Sequence, residues 1–214
     1  KLIKLDLKTT AKNIGYLAGA GDLVPETLKE IGLNVTLLNE NEVMNGDLSK
    51  YDAIIAGVRA YNVNERIQFM QQKLMSYVEN GGIYLVQYNV NRPLLIDQIG
   101  PYPFSISRDR VTEEDAKVIF TKPESKALNY PNKLTEKDFE NWIQERGIYF
   151  AGSTDSRYEK PLSMKDTGEK ETDGALLIAN YGKGKFIYTG LVFFRELPAG
   201  VPGAYRLLMN LISK

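Results

Sequence analysis

The stretch GGIYLVQYNVN, residues 81–91, decides the fold. Two glycines stop whatever precedes it, an apolar run Ile83–Val86 follows, and the run ends in a polar knot of Gln87, Tyr88, Asn89 and Asn91. A short continuous apolar run bounded by turn residues reads as a strand covered on both faces, the kind found in parallel sheets. In an open α/β sheet the carboxyl end of such a strand faces the ligand crevice, and it is there that a nucleophile is usually presented. This tip offers amides and a phenol, with neither Cys, Ser nor His.

Working outward, apolar positions Ile67, Met70, Leu74, Tyr77 and Val78 recur at helical spacing, with Asn64 as a candidate cap and Gly81 as the stop. Before them, YDAIIAGV (51–58) and LNVTLLN (33–39) read as two more strands. NIGYLAGAGDLVPETLKEIG (13–32) reads as strand, glycine turn and helix, with Pro25 near the helix start and Gly32 just past its end. Strand and helix therefore alternate over the first 90 residues, which predicts an α/β fold: a doubly wound, mostly parallel sheet with right-handed crossovers.

Beyond Arg92 the pattern weakens. Prolines interrupt residues 92–131, so this region reads as a loop-rich insertion with short strands. LTEKDFENWIQERG (134–147) predicts a short helix opened by a Thr135/Asp138 capping-box variant, with Phe139, Trp142 and Ile143 on one face. GALLIANYGKGKFIYTGLVF (174–193) carries a hairpin signal, and PGAYRLLMNLISK closes as an amphipathic helix. Residues 1–12 are expected to be a linker or the tail of a preceding domain, and 13–214 one α/β domain. The sequence begins with Lys, so it is expected to be a processed protein or a piece of a longer one.

Composition narrows the chemistry. Of 214 residues, 43% are hydrophobic and 25% charged, enough apolar side chains for a real core. Lys plus Arg and Asp plus Glu each total 27, so no net charge draws the chain to nucleic acid or an anionic membrane, and no run of residues is long and apolar enough for a membrane span. His and Cys are both absent. That excludes Ser-His-Asp and Cys-His catalysis, disulfides, and His- or thiolate-bound zinc. SRYEK (156–160) has the wrong spacing for a Ser-Lys pair.

No cofactor or metal is expected. AGAGD (18–22) lacks the third glycine of a dinucleotide turn, and Pro25 removes an amide donor. KDTGEKETDG (165–174) gathers Asp166, Glu169, Glu171 and Asp173, but not at EF-hand spacing, so it reads first as a charged surface turn. SRDRVTEED reads first as a solvated loop, though Arg108 and Arg110 could reach a ligand.

Taken together, the strand ends GVRAYN, VQYNVN and GLVFFRE would bring Arg59, Tyr61, Asn62, Gln87, Tyr88, Asn89 and Arg195 to one rim. Amides, phenols and guanidinium groups suit sugar hydroxyls or a carboxylate better than proton transfer. The competing reading is that the amides cap loops and the arginines pair with Glu65 or Glu196. A second candidate is Glu145, beside Arg146, as one of a pair of carboxylates in a hydrolase. A third reading is a purely structural module that docks or dimerises.

At GVRAYN, NGGIYLVQYN, PNKLTEKDFENWIQERGIYF and YGKGKFIYTGLVFFRELPAGVPGAYRLLMNL the chain resembles the C-terminal module of bacterial PIG-L (LmbE-like) proteins, GlcNAc-type de-N-acetylases, over roughly residues 12–214. The resemblance implies a class I glutamine amidotransferase-like, flavodoxin-like fold, related more distantly to ThuA-like proteins. It also implies a partner in an N-terminal deacetylase domain outside these residues, a polar small molecule or carbohydrate as ligand, and an exported bacterial protein. An active amidotransferase carries Cys at the tip that here reads Gln87-Tyr88-Asn89, and His and Glu where this chain has Phe193-Phe194-Arg195-Glu196. That departure removes the amidotransferase triad, and Glu196 alone does not restore it.

Overall fold

The computed structural model describes residues 6–214. The first half alternates as the apolar runs require: β1 (Asn13–Leu17), α1 (Val24–Glu30), β2 (Asn34–Leu37), α2 (Glu40–Asn45), β3 (Ala53–Ala56), α3 (Ala60–Val63), α4 (Ile67–Glu79) and β4 (Ile83–Gln87). Pro25 lies in the first turn of α1, where a missing N–H costs nothing. The short helix α2 was not expected. Its signal was nevertheless present in sequence: Asn39 and Glu42 form a reciprocal capping box, each side chain accepting from the other's backbone N–H.

The excursion that follows holds β5 (Phe104–Ile106), β6 (Val118–Phe120), α5 (Lys126–Asn129), β7 (Ala151–Thr154) and β8 (Leu162–Met164), paired as two small antiparallel ribbons, β5 with β7 and β6 with β8. The chain then returns through β9 (Leu176–Tyr181), β10 (Gly184–Thr189), α6 (Phe193–Glu196) and α7 (Pro202–Ile212). The β9–β10 hairpin turns at Gly182, whose φ of 57° a side chain would strain.

The main sheet runs β2-β1-β3-β4-β10-β9, parallel except for β9. Its strands sort their side chains by parity. Ala53, Ile55, Ile83 and Leu85 enter one core with α1 and α7; Ile54, Ala56, Tyr84 and Val86 enter the other with α3 and α4. Both faces are thus covered, which is why these strands lack polar alternation and why the expected doubly wound, mostly parallel sheet forms.

Two expectations are corrected. Residues 134–147 do not form a helix beyond a 3₁₀ turn at Glu136–Phe139. Asn141 and Gln144 have φ of 60° and 66°, and the N–H groups of Ile143 and Gln144 are taken by Glu196 and Glu114 instead of by helical carbonyls. Likewise GLVFFRE is not strand: β10 ends at Thr189 and Arg195 rides on α6.

Of the segment 1–12, residues 1–5 lie outside the described residues. The remainder packs on the body, with the Asn132 side chain bonded both ways to the Lys8 backbone and Ser213 accepting from Thr10 N. Among the described residues no helix is long and apolar enough to cross a membrane.

Candidate functional site

The ends of β1 and β3 are locked together by one carboxylate, and β4 joins them through the Tyr16 hydroxyl. Asp22 accepts from Tyr16 Oη at 2.6 Å, from Val24 N at 3.0 Å and from Val58 N at 3.1 Å. Burial, and then the charge of Asp22, push the Tyr16 phenol far above its ordinary value. Gln87 Nε2 donates to the same Tyr16 oxygen at 2.9 Å. The glycine turn presses on this knot: a Cβ on Gly19 would lie 2.1 Å from Val58 O. The glycine at position 19 therefore serves contact between two strand tips, and nothing in its setting calls for a phosphate.

The other amides also turn inward. Asn89 is fully buried; its Oδ1 accepts from Tyr61 N at 2.8 Å and its Nδ2 donates to Gln87 O at 3.0 Å. Asn62 exchanges hydrogen bonds with both backbone groups of Val90 and donates to Pro93 O. The Tyr61 hydroxyl is buried, donating to Gln71 Oε1 at 2.6 Å and lying 2.9 Å from that of Tyr84. So of the residues expected together on an open rim, Asn62 and Asn89 instead bond the backbone of the turns after β3 and β4, while Tyr61 and Gln87 turn to other side chains, Gln87 Oε1 being left without a partner. Backbone groups leaving a parallel sheet lose their ladder partners, and side-chain amides supply them. Replacing Asn89 by Ala strands the buried Tyr61 N–H and is expected to cost about 1–3 kcal/mol in urea unfolding.

What remains accessible is a smaller group: Arg59, Tyr88, Glu145 and Arg195, joined by two residues that sequence reasoning missed, Tyr149 and Phe194. Tyr88 and Tyr149 stack with centroids 6.0 Å apart and planes 9° from parallel; Phe194 lies 5.3 Å from Tyr88 at 41°. Arg195 Nε donates to Glu145 Oε1 at 2.9 Å, and its guanidinium lies 5.0 Å from the Phe194 ring. Burial raises the Tyr88 phenol, while Arg59 and Arg195 pull it back down. Arg195 was expected to pair with Glu196 or with a ligand; its partner is Glu145.

Tyr149 comes into place because residues 147–148 pair with 190–191, with Ile148 N donating to Gly190 O at 2.9 Å. No periodicity announces that pairing. Arg59 and Tyr149 both hold left-handed backbone, with φ of 58° and 52°. For residues with a Cβ this costs on the order of 1 kcal/mol each, a strain that gathers at functional positions.

Arg108 and Arg110 are exposed, and the charge of Arg110 is felt by Asp166. Asp166 itself accepts from Thr112 and Glu113. In the same loop Glu171 accepts from Ser163 Oγ, and Asp173 pairs with Lys160 at 2.6 Å. Three of the four acidic residues of this loop, Asp166, Glu171 and Asp173, are therefore spent on separate partners.

Glu145 has a second carboxylate nearby, Glu196, whose pKa burial raises to about 7. Yet Glu196 is fully buried, with both oxygens turned to Ile143 N at 3.1–3.2 Å. Enclosed in this way, Glu196 does not face a substrate opposite Glu145.

No protein-family model matches the sequence, and no curated protein matches it. Solved structures do share its fold. PurLQS from Thermotoga maritima aligns at 10% identity over 94% of this chain and 98% of that chain, with a TM-score of 0.60. A GMP synthase-type protein from Thermoplasma acidophilum aligns at 9% identity over 96% of this chain and 94% of that one, with a TM-score of 0.58. A β-galactosidase from Rahnella sp. R3 aligns at 17% identity over 94% of this chain but 31% of that one, with a TM-score of 0.50. At such identities the likeness speaks for the fold alone: this chain has a mixed α/β fold with a mostly parallel central sheet, consistent with the flavodoxin-like, class I glutamine amidotransferase-like fold.

Proposed function

We propose that this chain is a non-catalytic ligand-binding module that holds a carbohydrate or another polar small molecule at the tips of β3 and β4. One observation carries the reading. At the strand end where its fold places a nucleophile stands Tyr88, stacked on Tyr149 and flanked by Arg59 and Arg195. Stacked rings offer an apolar platform for a sugar face, and the guanidinium groups supply donors. The chain has no His or Cys, and Glu196, whose pKa burial raises to about 7, is enclosed, which supports holding a ligand over transforming it.

The resemblance to PIG-L proteins supports a finer version. In it the module accompanies a sugar-directed deacetylase domain in an exported parent protein and positions or retains the glycan on which that domain acts. The amide-lined rim reduces to four charged and aromatic side chains with their two neighbours, which suits retention better than chemistry. Titration calorimetry against neutral and charged mono- and disaccharides tests the binding reading. The expected result is binding that weakens about two- to tenfold in Tyr88→Ala, the loss of one stacking platform. Absence of binding, or binding indifferent to Tyr88, overturns it and favours a docking role.

A further inference from the structure

Arg59 stands apart from the other arginines. Arg195 and Arg206, both partly withdrawn from solvent, pair with Glu145 and Asp138, and buried Arg146 spends its donors on the carbonyls of Ala116 and Phe139. Arg59 is half-buried, its Nε is shut off from solvent with no hydrogen-bond partner, and no ion pair with a described residue involves it. A withdrawn guanidinium donor with no acceptor is costly, and so is the left-handed backbone that holds it (φ 58°, ψ 23°).

The backbone explains why the side chain is held rather than loose. Arg59 N donates to Tyr88 O at 2.8 Å, fastening the tip of β3 to that of β4, and the preceding Val58 N is fixed by Asp22. A glycine would satisfy the same turn without strain. An arginine placed there serves its side chain.

Charge completes the argument. Around Tyr88 the charged groups are Arg59, Arg195 and Glu145; Glu145 neutralises Arg195, so the positive charge of Arg59 is left without a counter-ion among them. Beside it lie the stacked faces of Tyr88 and Tyr149. Resting on the reading of this rim as a sugar site, we propose that its ligand is an anionic sugar. Its ring packs on the tyrosines, and its carboxylate or phosphate takes both terminal nitrogens of Arg59 in a pair of parallel hydrogen bonds, while the enclosed Nε faces inward.

The test is calorimetry at low salt with three probes, d-glucuronate, glucose 6-phosphate and d-glucose, on wild type, Arg59→Gly and Arg59→Lys. Arg59→Gly relieves the strained turn and is expected to melt no lower than wild type, so a loss of binding in it is not a loss of fold. The expected result is an anionic probe held at least about tenfold tighter than glucose by wild type, with the preference gone in Arg59→Gly and reduced in Arg59→Lys, whose ammonium cannot bind in two places. Which anionic probe is favoured separates carboxylate from phosphate. Glucose bound as tightly as both anions overturns this inference and leaves the sugar-binding reading standing. An anion preference that survives Arg59→Gly overturns the assignment to Arg59, and failure of all three sugars to bind overturns both.

Discussion

Replacing Glu196 by Gln is expected to remove a fall in stability that the wild type shows as pH rises from about 4.5 to about 7. Glu196 is fully enclosed, with both carboxylate oxygens on Ile143 N. Burial raises its pKa from 4.5 to about 7, against the lowering influence of the Ile143 N–H and then of Arg146 and Arg195, with Glu114 adding to the rise. The sign follows from proton counting. Between those two values the unfolded chain has released the proton and the folded chain still holds it, so folding weakens as pH climbs. Below 4.5 both states are protonated; above 7 the full penalty, about 3 kcal/mol from 1.36 kcal/mol per unit, applies.

Gln keeps the shape and the acceptor for Ile143 N but cannot ionise. The variant should therefore lie within about 1 kcal/mol of wild type at pH 5 and exceed it by about 2 kcal/mol at pH 8. Urea unfolding from pH 4.5 to 8.5, followed by fluorescence of Trp142, the single tryptophan, measures this where it matters. Trp142 lies against Phe139 and Phe193, beside the segment that Glu196 holds. A slope that persists in Glu196→Gln would assign it to other carboxylates. The effect reaches the rim, because the neighbouring Arg195 holds Glu145 in the same segment.

The sheet was legible in sequence because β3 and β4 are covered on both sides, so their apolar runs had no competing explanation. Ile83, Leu85, Tyr84 and Val86 enter two different cores, and only a central strand needs four apolar residues in a row. The direction of a side-chain amide is a different kind of fact. Asn89 turns inward because Tyr61 N, 28 residues away, is left without a ladder partner by a turn whose geometry no local pattern encodes. The same holds for 134–147: a capping box and an apolar face predicted a helix, and the box did form at Thr135 and Asp138. Yet two distant carboxylates, Glu114 and Glu196, captured the next N–H groups and ended it. Long-range polar partners therefore decided both misreadings, while hydrophobic periodicity decided the elements that were read well. Tyr149 and Phe194 escaped for the same reason, since they meet Tyr88 only through the pairing of residues 147–148 with 190–191.

The second large effect belongs to Arg146, and its substitution by Leu is expected to destabilise the fold by about 3–5 kcal/mol, the range for removing one member of a buried charged set. Arg146 is 4% exposed. Its Nε and one terminal nitrogen donate to Ala116 O at 3.0 and 2.8 Å, and the other terminal nitrogen donates to Phe139 O. Ala116 lies in the loop before β6 and Phe139 ends the 3₁₀ turn, so one planar fork joins two segments of the excursion, alongside the Val111–Gly147 pairing and the Phe120–Phe139 contact. Leu replaces the volume of the side-chain stem but leaves both carbonyls without donors, and it removes the cation that tempers Glu196. The loss should therefore be larger at pH 8, where Glu196 is ionised, than at pH 5. Lys restores the charge but one ammonium on a flexible stem cannot reproduce three fixed donors, so Arg146→Lys should recover the pH dependence more fully than the stability. Chemical denaturation of both variants at the two pH values distinguishes these contributions: an Arg146→Leu loss below about 1 kcal/mol at either pH would mean that the carbonyls find other donors and that the fork is dispensable.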